Sequence, residues 1–79
     1  MITEKEFLAK QHTILSRAIQ IVTDEQYDKF VGAEKLNGSI QGNTIKITGD
    51  LNILKSETFE KTIEFNGEKE TCTIVLIPL

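Results

Sequence analysis

The apolar period of this chain changes once, near Gly38, and that change constrains the fold more than any single motif. Before it, Phe7, Leu8, Ile14, Leu15, Ala18, Ile21 and Val22 recur at helical spacing and form a stripe on one face. Gln11 falls within that stripe. After it, apolar residues alternate with polar ones through Ile45, Ile47, Leu51 and Ile53, then Phe59, Ile63 and Phe65, as strands do. A helical start followed by strands reads as α+β. The expected architecture is two N-terminal helices packed on one face of an antiparallel three- to four-stranded β-meander. The helices cover about 4–22 and 24–36 and the strands lie within 38–77, in a single domain of 79 residues.

Each expected helix carries the same start signal. Thr3-Glu4-Lys5-Glu6 is a capping box, in which the Thr3 hydroxyl accepts from the Glu6 N–H, and Ile2 with Phe7 forms the hydrophobic staple around it. Thr23-Asp24-Glu25-Gln26 repeats the box, with Val22 and Tyr27 at the staple positions. Asp24 and Glu25 then place negative charge in a first helical turn, where the helix dipole favours it. The second helix is expected to end near Leu36, before Asn37-Gly38.

Turn chemistry sets the strand register. Gly42-Asn43 is a two-residue hairpin turn that pairs Ile40 with Ile45. Asn66-Gly67 is the strongest hairpin signal, and it places Glu64 opposite Lys69, Thr62 opposite Thr71 and Phe59 opposite Ile74. Gly49-Asp50 reads as a bulge or bend rather than a turn, so that the alternation continues to Ile53, and a loop at Lys55-Ser56-Glu57 pairs Ile53 with Phe59 and Leu54 with Thr58. This register collects Ile45, Ile47, Leu51, Ile53, Phe59, Ile63, Phe65, Cys72, Ile74 and Leu76 on the face that the helices cover.

The last strand, Thr71 to Ile77, is apolar on both faces in its second half. Cys72, Ile74 and Leu76 belong to the core face; Val75 and Ile77 do not. With Leu54 across the sheet and Leu79 nearby, they form an apolar corner on an otherwise polar outer face. Three such side chains represent roughly 4–8 kcal/mol of burial, comparable to the stability of a small domain, so a cover for that corner matters. Leu54, Val75, Ile77 and Leu79 are therefore the candidate partner interface.

Composition excludes more than it suggests. The net charge is −3, with basic and acidic residues mixed along the chain, which disfavours nucleic-acid and anionic-membrane partners. The single cysteine, Cys72, cannot form an internal disulfide, and no stretch is long and apolar enough to span a bilayer. The N-terminus is charged and does not read as a signal peptide, so the expected location is cytoplasmic. No cluster of His, Cys and Asp has metal-ligand spacing, and no cofactor is expected. His12 with Ser16 one turn on lacks an acid partner, Glu60 and Glu64 stand on an open Thr-rich sheet, and Cys72 faces the core beside Lys61. No catalytic set results.

The functional expectation is a small non-catalytic interaction module or inhibitor. It acts as a homo-oligomer through the outer sheet face or binds another protein. Small acidic inhibitors, including phage-encoded ones, share this description. The alternative is a small-ligand-binding protein with a pocket between protomers or between the second helix and the sheet. Arg17 and Tyr27 are its candidate contacts.

Overall fold

A computed structural model describes residues 3–31 and 36–79. It contains helix α1 (Glu4–Glu25), a 3-10 turn (Tyr27–Lys29) and strands β1 (Asn37–Gln41), β2 (Thr44–Gly49), β3 (Glu57–Phe65) and β4 (Glu68–Pro78). The strands form one sheet in the order β1-β2-β4-β3, and α1 lies against one of its faces.

Local readings of the turns hold. Gly42 has φ 62° at the first central position of the β1–β2 turn, and Ile40 pairs with Ile45. Asn66 and Gly67 both have positive φ, 51° and 79°, which is the type I′ geometry that matches strand twist. Glu64 pairs with Lys69, Thr62 with Thr71, Phe59 with Ile74 and Thr58 with Val75. The Thr3 hydroxyl accepts from the Glu6 N–H at 3.1 Å. Ile2, the other half of the expected staple, lies outside the described residues.

The expected purely antiparallel meander is corrected. β2 does not run on through Gly49-Asp50 to pair with β3; it ends at Gly49, and β4 enters between β2 and β3, parallel to β2. Thr44 pairs with Thr73, Ile45 with Ile74 and Lys46 with Val75. The bend after β2 is held by the Leu51 N–H donating to the Gly49 carbonyl at 3.0 Å. Residues 50–52 then pair with the segment after α1. The Asn52 N–H donates to the Lys29 carbonyl at 2.8 Å, and Phe30 forms an isolated bridge with Leu51. The pairings Ile53–Phe59 and Leu54–Thr58 therefore do not occur, although Leu51 is buried and Ile53 packs against the core.

Burial explains why β4 takes the centre. A strand that is apolar on both faces loses most by standing at an edge, whereas β3 carries Glu57, Glu60, Lys61 and Glu64, the charged pattern that protects an edge from further pairing. Lys61 points inward from that edge and pairs with Glu25 of α1, and Lys29 pairs with Glu57. The core is Ile14, Ala18 and Val22 from α1 against Ile45, Ile47, Ile63, Cys72, Ile74 and Leu76. Each large aliphatic among them contributes about 1.5–3 kcal/mol of burial. Gly38 lets the helix approach β1 closely, since a Cβ there would lie 2.6 Å from Ile19 Cδ1.

The two-helix reading is also corrected. Helix α1 runs through Thr23 to Glu25, and Gln26 is its C-cap, its backbone N–H donating to the Val22 carbonyl at 2.9 Å. Only the 3-10 turn follows within 26–31; the rest of the expected helix 24–36 falls largely on residues 32–35, outside those described. The i, i+4, i+8 series Ile14, Ala18, Val22 keeps the stripe in phase across the would-be break, so core burial outweighs the second capping box. A residue of that conflict persists. Thr23 Oγ1 and Gln26 Oε1, the two side-chain acceptors of the expected box, are the buried side-chain polar atoms without a hydrogen-bond partner among the described residues.

This conflict gives a direct discriminator. Thr23→Val removes an unpaired buried hydroxyl, so denaturant unfolding should show unchanged or higher stability, by up to about 1 kcal/mol. If Thr23 were an N-cap, the same change would cost about 0.5–2 kcal/mol.

Candidate functional site

Helix α1 covers the inner face of the sheet, and the outer face has no covering element among the described residues. Side chains alternate along each strand, so the register fixes the outer rows. One row crosses Ser39, Lys46, Val75 and Thr58; the next crosses Gln41, Thr44, Thr73 and Glu60. Ile77 lies beside Thr48 in a third row. Val75 thus lies in the middle of the open face between Lys46 and Thr58, and Ile77 lies near its end with a strand neighbour on β2 only; both are half-buried. The basic Lys46 stands on one flank of β4 and the acidic Glu60 on the other.

The other two residues of the sequence-derived corner sit elsewhere. Leu54 lies in the loop between β2 and β3, fully exposed and on no strand, because the pairing that would have placed it opposite Thr58 is absent. Leu79 follows β4 and is also exposed; its N–H donates to the Gly49 carbonyl at 3.1 Å.

The candidate ligand contacts are separated in kind. Arg17 is exposed on α1 and borders a shallow depression with Thr13, Glu64, Phe65 and Asn66. Tyr27 stands in the 3-10 turn, 74% exposed. His12 and Ser16 are both exposed on α1. Among the described residues, no group of three or more His, Cys, Asp or Glu side chains could hold a metal ion. No helix among them is long and apolar enough to cross a membrane.

Cys72 is buried in the core that α1 covers, and Lys61 is its cross-strand neighbour as the register implied. The Lys61 ammonium pairs with Glu25. Burial raises the Cys72 thiol above its ordinary value of 9.0, and the negative charge of Glu70 adds to the shift. A neutral, enclosed thiol is a poor nucleophile.

Two features beyond the reach of sequence reasoning lie beside Cys72. The Lys10 ammonium donates to Glu70 at 2.9 Å and stands 6.0 Å from the centre of the Phe65 ring. That hydrogen bond, with further attraction from Glu70 and Glu68, raises the Lys10 ammonium above 10.5 despite partial desolvation. Beside the pair is a cavity of about 130 Å³ lined by Phe7, Gln11 and Ile14 of α1, Ile40 of β1 and Cys72 of β4. The only hint of it in the sequence is Gln11, a polar residue within the apolar stripe.

No protein-family model, curated protein or solved structure matches the chain.

Both raised groups favour the protonated form in the folded state. Their contribution is complete below the ordinary values, 9.0 for Cys72 and 10.5 for Lys10, and declines as pH rises through the folded values. Stability followed by urea unfolding should therefore fall on going from pH 8 to pH 11. At pH 8, iodoacetamide should label Cys72 at least about tenfold more slowly in the native protein than in urea, because the thiol must first be exposed. Equal rates would contradict its enclosure.

Proposed function

We propose that this protein is a non-catalytic interaction module that associates with a second copy of itself through the outer face of the sheet. The observation that carries this reading is the one-sided cover: α1 packs on one face only, while the opposite face presents Val75 and Ile77 from the interior strand β4. Two sheets stacked face to face, about 10 Å apart, would bury both residues in each copy.

The arrangement of charge favours a second copy over an unrelated cover. In a two-fold dimer with its axis along β4, β2 of one copy lies over β3 of the other. Lys46 of one protomer then faces the Thr58–Glu60 segment of its partner, and the same contact recurs on the other side of the axis. The apolar pair sits between these two charged contacts, and the threonines Thr44, Thr48 and Thr73 surround it. Because Val75 and Ile77 are already half-buried, each gains less than the ~1.5–3 kcal/mol of a fully transferred side chain. The dimer is accordingly modest in strength and sensitive to a single charge.

Light scattering tests this directly. The wild-type protein should have the mass of a dimer. Val75→Glu should reduce it to the monomer mass while leaving the far-ultraviolet circular dichroism spectrum unchanged. A wild-type mass of one chain, or a dimer indifferent to Val75→Glu, would overturn the reading. Salt should weaken the association as well, because the flanking Lys46–Glu60 contacts are exposed to screening.

A further inference from the structure

We infer that a notch beside the N-terminal half of β4 is a docking site for an extended peptide, which adds to the sheet in line with β2. The notch arises because the sheet is ragged. β4 begins at Glu68, but β2 reaches it only from Thr73 onward. Among the described residues, no strand runs beside residues 68–72 on the side away from β3.

Backbone geometry specifies which groups are left open. Along a strand, the N–H and C=O of one residue point to the same side and those of the next residue to the other. The Thr73 N–H points toward β2, donating to the Asn43 carbonyl at 2.8 Å. Thr71 and Lys69 share its parity, so their N–H and C=O groups project into the notch. Those of Glu70 and Cys72 point toward β3. An open row of this kind is a template for an added strand.

Side-chain chemistry specifies the occupant. On the helix side the notch opens into the 130 Å³ cavity, which has apolar walls at Phe7, Ile14, Ile40 and Cys72 and polar ones at Gln11, Asn43 and the Lys10–Glu70 pair. At about 130 Å³ it has room for one aliphatic side chain laid against the apolar walls. Phe7, 46% exposed, would gain cover from it. Glu70, which lines this cavity, is already paired with Lys10, whereas Glu68, two residues before it on the same face, has no ion-pair partner among the described residues. The fitting segment therefore has an aliphatic residue with a basic residue two positions before it, running parallel to β4 as β2 does. A second copy pairing β4 with β4 fits poorly, since a two-fold centred on Lys69 or on Glu70 sets like charges against each other.

The probe is the blocked tetrapeptide acetyl-Lys-Thr-Leu-Thr-amide, added to the intact protein and followed by NMR. In the free protein, the Lys69 and Thr71 amides should exchange with solvent faster than those of Glu70 and Cys72. Saturating probe should shift the Lys69 and Thr71 resonances and slow their exchange by about tenfold, the effect of roughly one hydrogen bond each. Gln11→Phe, which places a ring at the cavity without altering the buried core, should abolish this response. Glu68→Lys should weaken it. Val75→Glu should leave it intact, which separates this site from the proposed dimer face. Slow exchange of Lys69 and Thr71 in the free protein would overturn the inference. So would an absence of saturable shifts, or equal binding by a probe whose backbone nitrogens are methylated.

Discussion

The structure depends on the burial demand of one strand. β4 carries Cys72, Ile74 and Leu76 on one face and Val75 and Ile77 on the other. At a sheet edge, the second set would be exposed beside an unpaired backbone. Between β2 and β3, the backbone is paired on both sides from Thr73 to Leu76, and the outer side chains are half-covered by their neighbours. Everything unusual in the topology follows: the parallel β2–β4 pair, the early end of β2 at Gly49, and the loop over residues 50–56 that carries the chain past the end of β4 to the far edge. The charges of β3 complete the logic, because a strand with Glu57, Glu60, Lys61 and Glu64 tolerates an edge that β4 does not.

That demand also shows which parts of the fold were legible in the sequence. Glycine and asparagine at Gly42-Asn43 and Asn66-Gly67 act over two residues, so both hairpins and their registers follow from them. The relation between the hairpins has no such local signal. Alternation through Ile47, Gly49, Leu51 and Ile53 looks like one strand, and each of Leu51 and Ile53 does turn toward the core. They do so from a bend paired with residues 29–31, which alternation alone cannot distinguish from a strand. Thr23 shows the same limit on the helical side. Its capping box is as good locally as that of Thr3, but the stripe through Ala18 and Val22 keeps the helix running through it.

The open surfaces follow the same division. Val75 and Ile77 can be assigned to the outer face from the Asn66-Gly67 register alone, and the structure places both on the interior strand β4, Val75 between β2 and β3 and Ile77 near the strand's end. Leu54 was tied to them only through a pairing between β2 and β3 that does not form, so it lies in the loop instead. The notch beside Lys69 and Thr71 was invisible because it exists only once β2 is known to pair with β4 and to stop short of its start. Among the described residues, one face and the notch beside the start of β4 thus remain unfilled, each for a reason rooted in where β4 sits.

Interstrand contacts measured by NMR test that placement most directly. If β4 lies between β2 and β3, nuclear Overhauser effects should connect the backbone of Lys46 with that of Val75, and that of Val75 with that of Thr58. Backbone contacts between Leu54 and Thr58, with none between Lys46 and Val75, would contradict the account.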